Sequence, residues 1–299
     1  MNVVVIPFIG ETLSLVTAII WALAVVLFKK SGETVHPIGL NLFKNMVGMV
    51  LFIPTIWLFG DTIFQDAPFQ DYLILLLSGI IGIGIADTLF FQCLNRLGAG
   101  LTAIIDCLYA PFTIALSMIW LSEILTVWQI VGASLIISAV LTSTYQKNSK
   151  YIDKRNLFLG TLYGVLAMAL MAIGVVMMKP VLNNNPVMWV TEIRLFGGIL
   201  ILLVILLFHP LRKKIVKSVI NSTGLKYTIS SSIIGAYLAM MCWIGGMKFT
   251  QTSTAAALNQ TNNVFIFIFA AIILKEKLDL RKTIGIILAV WGTFMVTFG

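Results

Sequence analysis

The feature that most constrains this chain is an apolar pattern written twice, the second copy following the first at an offset of about 150 residues. Each copy holds about five apolar stretches of the length a bilayer demands, roughly 20 residues apiece. Because five is odd, the second copy must sit upside down relative to the first, as in inverted-repeat membrane architectures. The expected fold is an all-α membrane protein with ten transmembrane helices arranged as two inverted five-helix repeats.

The composition agrees. With 59% hydrophobic and 11% charged residues, 299 residues have too little polar surface to coat a soluble globule, and the mean hydropathy is +1.01. A formal charge of +8 suggests nucleic acid in a soluble protein. Here the Lys and Arg residues instead cluster in short connections between apolar runs, as membrane topology requires, so no nucleic-acid role is expected. Cys93, Cys107 and Cys242 fall inside apolar stretches and read as unpaired small hydrophobes. The N-terminus lacks the basic start and small-residue cleavage site of a secretory signal, and the apolar run over 12–28 is long enough to be retained as a spanning helix.

Helices are expected near 12–29, 37–60, 71–96, 98–122, 127–145, 157–179, 186–208, 226–249, 251–274 and 281–298. Residues 1–145 form the first five-helix repeat, 146–156 a polar, basic linker, and 157–299 the second repeat. Most loop cations, among them Lys29, Lys30, Arg96, Lys147, Arg155, Arg212, Lys213, Lys214, Lys217 and Lys226, fall on one side. The opposite side receives only Lys179 and Lys248, while Lys44 and Arg194 lie inside helices. Positive residues favour the cytoplasm, so both termini are expected outside, in a multi-pass protein of the plasma membrane.

The repeat survives residue-by-residue comparison. Gly10, Ala22, Val25, Val26 and Lys29 recur as Gly160, Ala172, Val175, Val176 and Lys179. Pro37, Lys44 and Gly48 recur as Pro186, Arg194 and Gly198. "LSEILTVWQIVG" (121–132) aligns with "LKEKLDLRKTIG" (274–285), sharing Glu123/Glu276 and Gly132/Gly285. The segment "AIIDCLYAPFTIALSMIWLSEILTVWQIVG" (103–132) resembles the signature of EamA-type transporters of the drug/metabolite transporter superfamily, in which a proline-containing fourth helix ends in a glutamate and a glycine follows in the fifth. Pro111, Glu123 and Gly132 match that pattern in the first half, and Glu276 and Gly285 in the second, where Val264 replaces the proline. The resemblance covers nearly the whole chain. It implies a secondary transporter that exports a small metabolite, such as an amino acid or related compound, or a drug-like molecule, with no cofactor.

An ionisable side chain in hydrocarbon is costly, so those inside helices should face the interior with a partner or a task. At 1.5 Å per residue, Asp87 and Asp106 both reach roughly 12 to 14 Å into the membrane, and Lys44 about 10 Å from the same side. Lys44 is positioned to neutralise one aspartate, and two carboxylates near a midplane suit proton coupling. The alternative is that Lys44 snorkels and the aspartates hydrogen-bond to neighbouring helices. In the second half Asp106 becomes Asn259, Tyr109 becomes Asn262 and Asp87 becomes Met240, so the acidic chemistry is one-sided. Asn259, Asn262 and Asn263 share a helix face, serving either helix packing or a polar ligand. Arg194 braces helices or balances an acidic ligand, Glu192 is expected to pair with Lys179, and Glu123 and Glu276 read as structural residues at helix ends.

Trp21, Phe91, Tyr109, Tyr237 and Trp243 are candidates for the wall of a binding pocket, with Met168, Met171 and Met178 at helical spacing, although such residues also serve plain packing. Gly79, Gly82 and Gly84 make a tight face on the third helix, and Gly245 and Gly246 interrupt the run of larger residues in the eighth, with close packing or bending the expected result. The candidate substrate site is therefore Trp21, Asp87, Phe91, Asp106, Tyr109, Tyr237, Trp243, Asn259, Asn262 and Asn263. Lys44, Asp87, Asp106 and Arg194 are candidates for proton coupling or charge balance. Two competing classes are an aspartyl-type intramembrane enzyme using both aspartates and a sensor or structural protein without flux. The sequence has no metal-ligand cluster: His36 and His209 stand far apart near helix ends, and neither His-Glu-x-x-His nor Gly-x-Ser-x-Gly occurs. Small-molecule substrate and lipids are the expected partners, in a monomer or homodimer.

Overall fold

The computed structural model describes residues 8–60, 62, 65–121, 126–144, 153–250, 252–276 and 280–298. Glu123 and most of the basic linker lie outside the described residues. The first half of the chain contributes α1 (Ile9–Ser31), α2 (Pro37–Leu58), α3 (Phe69–Leu97), α4 in two pieces (Ala99–Asp106 and Tyr109–Leu121) and α5 (Val127–Thr144). The rest contributes α6 (Lys154–Asn184), α7 (Val187–Phe208), a short α8 (Arg212–Ile220), α9 (Leu225–Phe249), α10 in two pieces (Thr252–Asn259 and Asn262–Ile273) and α11 (Leu280–Phe298). No strand occurs among the described residues.

Seven of the described helices are long and apolar enough to cross a membrane, and three shorter apolar stretches lie at Ile130–Ala139, Asn262–Ile273 and Thr283–Met295. Leucine, isoleucine and phenylalanine project from their outer faces, as a lipid solvent permits. The interior is lined by small residues, Ala18, Ala22 and Ala24 of α1 and Ala167 and Ala172 of α6 among them, which allow close helix approach. The glycines of α3 are the sharpest case: a Cβ on Gly79 would lie 2.0 Å from the Arg194 carbonyl oxygen, so α3 and α7 touch backbone to backbone.

The packing crosses over between the halves. α1 packs on α9 and α10, α6 packs on α3 and α4, and α5 lies along α11. Each long helix thus finds its main partners in the other half of the chain.

Two local features escaped sequence reading. α3 and α9 each contain a π-helical segment, Ile80–Ala86 and Ser232–Ala239, at corresponding positions in the two halves. A π turn leaves backbone carbonyls loosely held, and in α3 Asn41 of α2 takes them up, its Nδ2 donating to the Ile83 and Gly84 carbonyls at 2.9 and 3.0 Å. α8, a surface helix, replaces the plain loop expected after the seventh helix. α9 stays helical through Gly245 and Gly246, and of the close packing or bending expected there it is close packing that occurs: Gly246 admits Ser14 of α1, whose Oγ would lie 2.5 Å from an added Cβ.

Candidate functional site

A cavity of about 70 Å³ opens where these helices meet. Its wall takes Thr17 and Trp21 from α1, Gly82, Ile83, Asp87 and Phe90 from α3, Asp106 and Tyr109 from α4, and Met171 from α6. Arg194 of α7, Gly235, Ala239, Met240 and Trp243 of α9, and Asn259, Gln260 and Asn262 of α10 complete it. The π segments deliver three of these glycine and alanine positions, Gly82, Gly235 and Ala239; a Cβ on Gly235 would lie 2.8 Å from the Phe28 ring, so that glycine brings α9 close against α1, while one on Gly82 would come no nearer than 3.4 Å to Arg194 Nη2.

Both interruptions of regular helix border the cavity. α4 pauses at Cys107 and Leu108, directly after Asp106, and α10 pauses at Gln260 and Thr261, directly after Asn259. Broken helices free backbone and polar groups that must be satisfied by neighbours or by a ligand. Gln260 donates from Nε2 to the Asp106 carbonyl at 3.3 Å, tying the two breaks together.

The charges are arranged unequally. Asp87 is neutralised by Lys44, whose Nζ lies 2.6 Å from Oδ2 and also donates to Asn45 Oδ1 at 3.0 Å. Asn45 in turn donates to Asn41 Oδ1 at 3.0 Å, which extends a polar ladder along α2. Asp106 has amides rather than a cation for company. The Asn263 amide fits two orientations: Nδ2 donates either to Gln260 Oε1 at 2.5 Å and Cys107 Sγ at 3.3 Å, or, turned over, to the Ala103 carbonyl at 3.0 Å and Asp106 Oδ2 at 3.1 Å. Asn259, suitably turned, donates to the Ser14 carbonyl at 3.0 Å and accepts from Trp243 Nε1 at 2.8 Å, joining α1, α9 and α10.

Arg194 is the group with most left undone. Its side chain is only 1% exposed. Nε donates to Ser78 Oγ at 2.9 Å, which in turn donates to the Gly174 carbonyl at 2.6 Å, and the guanidinium stands 5.7 Å from the Trp243 ring centroid. Nη1 has no hydrogen-bond partner, nor does the Tyr109 hydroxyl, and no carboxylate is ion-paired with Arg194 among the described residues.

Four expected site residues stand off the cavity. Phe91 packs in the core against Phe28, ring centroids 4.9 Å apart, because its position on α3 turns it toward α1. Tyr237 is held away by a 2.6 Å hydrogen bond to Thr55 and by an edge contact with Phe52 at 5.0 Å. Lys44 and Asn263 are buried one layer behind, supporting Asp87 and Asp106. Met168 and Met178 are likewise core. The expected pairing of Glu192 with Lys179 is not formed: Lys179 donates to the Met247 and Thr250 carbonyls, and Glu192 Oε2 has no hydrogen-bond partner. Sequence reading missed Thr17, Phe90, Met240 and Gln260; only Gln260, between two polar amides, carried a visible signal.

Glu276 lies at the end of the molecule that holds Lys29 and Arg96. Its Oε1 and Oε2 accept from the Ala99 and Gly100 backbone N–H groups at 2.7 and 3.0 Å, capping the start of α4 from the far half of the chain. Gly98, at φ 81°, makes this approach possible, since a Cβ there would lie 2.8 Å from Oε1. Near the other end Lys179, the counterpart of Lys29, caps the last carbonyls of α9, as Lys29 caps the Asn95 carbonyl of α3 at 3.1 Å.

Comparison with known proteins agrees with this architecture. An uncharacterized transporter of Archaeoglobus fulgidus is 24% identical over 290 residues, covering 95% of this chain and 96% of its own. A crystal structure of another protein superposes with a TM-score of 0.71 at 16% identity over 96% of each chain, which extends the likeness of fold across nearly the full length. The model of the EamA-like transporter family matches twice, over residues 8–145 and 158–298, and the chain belongs to that family.

Proposed function

We propose that this multi-pass membrane transporter carries a small zwitterionic metabolite, an amino acid or a close relative, by alternating access around the cavity at Arg194 and Asp106. The observation that carries the reading is the unpartnered Nη1 of the buried Arg194 guanidinium facing that cavity. A buried cation without a counter-ion is costly, and a carboxylate supplied by the substrate removes the cost while bonding Arg194 and the Tyr109 hydroxyl. Asp106, with no cation of its own, then takes the ammonium group. Trp21 and Trp243 close on the apolar remainder.

In this reading the chain is two inverted five-helix repeats, 1–145 and 157–299, joined by the linker at 146–156, and the halves rock about the cavity. The double family match, the paired π segments and the paired breaks of α4 and α10 all support it. Asp106 couples transport to protons, export from the cytoplasm across the plasma membrane follows the family resemblance, and the protein works as a monomer or homodimer. An aspartyl-type enzyme requires Asp87 and Asp106 to share a proton, and the commitment of Asp87 to Lys44 speaks against it.

The test is counterflow of a radiolabelled amino-acid mixture in proteoliposomes. Wild type should exchange label well above protein-free vesicles, and Arg194→Gln should lose at least about tenfold of that flux. Binding of an amino acid by thermal shift without any exchange would replace transport by a sensor role.

A further inference from the structure

α8 is amphipathic in an unusual, three-sided way. At about 100° per residue, Ile215 and Val219 point inward, and Ile215 is buried against Ile38 of α2 and Leu202 of α7. Lys214 and Ser218 point to a second side. The third side, Arg212, Lys213, Val216, Lys217 and Ile220, borders an open groove of about 550 Å³ whose other wall is Leu203, Leu206 and Leu207 of α7.

The groove is thus divided by chemistry. Its α7 wall is a leucine face of a membrane-crossing helix, with Leu207 60% exposed, and its α8 wall raises three cations above that face. Arg212 is positioned by donating from Nη1 to the Leu207 carbonyl at 3.1 Å. Lys213 and Lys217 form no ion pair among the described residues. No Asp or Glu occurs in the sequence between Glu192 and Glu276, so α8 and its connections to α7 and α9 carry no carboxylate.

We infer that the cleft between α7 and α8 is a binding site for an anionic phospholipid, its acyl chains lying on Leu203 and Leu207 and its phosphate held by Arg212, Lys213 and Lys217. Two features select this occupant. The apolar wall sits at the lipid-exposed surface of α7, where only a molecule already in the bilayer has ready access. The cationic rim lies at the end of α7, the level of the headgroups, and attracts negative charge there. A zwitterionic phospholipid satisfies the apolar wall but brings its own cation against Lys213 and Lys217. This site is independent of the central cavity and of the transport reading.

The experiment compares the thermal stability of the purified full-length protein in nanodiscs of phosphatidylcholine alone with nanodiscs containing phosphatidylglycerol. Phosphatidylglycerol should raise the midpoint by about 3 °C or more. The double substitution Lys213→Gln with Lys217→Gln should abolish that increment, with roughly 30-fold weaker lipid association. Lys214→Gln, which removes an equal kind of charge from the side of α8 turned away from the groove, should leave the increment intact. Equal loss in the Lys214 variant would mean diffuse surface attraction and overturn a defined site. An equal increment from soluble glycerol phosphate would overturn the part played by the leucine wall, and no difference between the two lipids in wild type would overturn the proposal outright.

Discussion

Lys44 Nζ and Asp87 Oδ2 stand 2.6 Å apart, with both side chains almost wholly buried between α2 and α3. Removing one partner leaves an uncompensated charge in the membrane interior. Asp87→Leu and Lys44→Met should therefore each destabilise the protein by about 3 kcal/mol or more. The combined Lys44→Met, Asp87→Leu variant should recover much of that loss. A thermal-unfolding double-mutant cycle measures the difference, and strictly additive losses would mean the pair is not coupled.

The same pairing separates the two aspartates functionally. With Asp87 held by Lys44 and Asp106 served only by amides, Asp106→Asn should abolish pH-driven flux and, because Asp106 also takes the substrate ammonium, raise the substrate concentration needed for exchange at equal pH. Asp87→Asn, in contrast, should lose stability before it loses pH dependence. Proteoliposome flux with and without an imposed pH gradient distinguishes them, and unchanged pH dependence in Asp106→Asn would remove the coupling role.

Glu276 offers a test of how the halves are held. Its carboxylate receives two backbone N–H groups of α4, and charge-assisted bonds of this kind are worth about 1.5 to 3 kcal/mol. Glu276→Ala should lower the unfolding midpoint accordingly, with Glu276→Gln intermediate. Gly98→Ala should cost at least as much, because it adds a left-handed backbone penalty to a clash with that carboxylate.

His36 makes a pH prediction outside the membrane spans. Burial, reinforced by the His209 ring, which the fold brings to 6.0 Å although the two histidines stand far apart in the sequence, pushes its pKa below the ordinary histidine value. Its ring Nδ1 accepts from the Ile38 N–H at 3.3 Å as the cap of α2, a bond that only an unprotonated nitrogen can make. The unfolded chain therefore binds the proton more readily, and stability should fall as pH drops below about 6.5. The unfolding midpoint followed from neutral to mildly acidic pH should show that loss. His36→Asn, which keeps an acceptor at the cap but does not titrate, should reduce it.

The glycines of α3 differ in what they allow. Gly79→Ala drives a methyl into the Arg194 backbone and should cost several kcal/mol or prevent folding. Gly82→Ala meets Arg194 Nη2 at 3.4 Å and the Gly174 Cα at 3.6 Å, both at or beyond ordinary contact. It should fold normally yet narrow the cavity and weaken ligand binding, as read by the thermal shift with amino acids.

Hydrophobic length and loop charge were enough to identify an all-helical membrane protein, because each apolar run declares its own element. The cost of burying charge picked out Asp87, Asp106 and Arg194, all of which line the cavity. The aromatic residues were less legible: Trp21 and Trp243 reach the cavity while Phe91 and Tyr237 do not. Which way a ring points depends on helix rotation, and a π turn shifts that rotation without any marker in composition. α8 was hidden for another reason. Its cations read as loop charge for topology, and its apolar positions, Ile215, Val216, Val219 and Ile220, are too few to stand out beside the long runs.

The π segment of α3 widens the helix by accommodating an additional residue within its turns, and that surplus sets the phase of everything after it. Letting α3 close into a regular α-helix with every residue kept would turn the residues after Ala86 by about 100° relative to those before Ile80. Asp87 would then swing away from Lys44 and Phe90 from the cavity wall, while the apolar run itself would remain long enough to cross the membrane. Loss of the π turn alone thus leaves a chain that inserts normally without its polar seam, whereas deleting one residue within Ile80–Ala86 as the turn closes returns Asp87 and Phe90 to nearly their present phase, so the orientation of the site is encoded by residue count and turn type together.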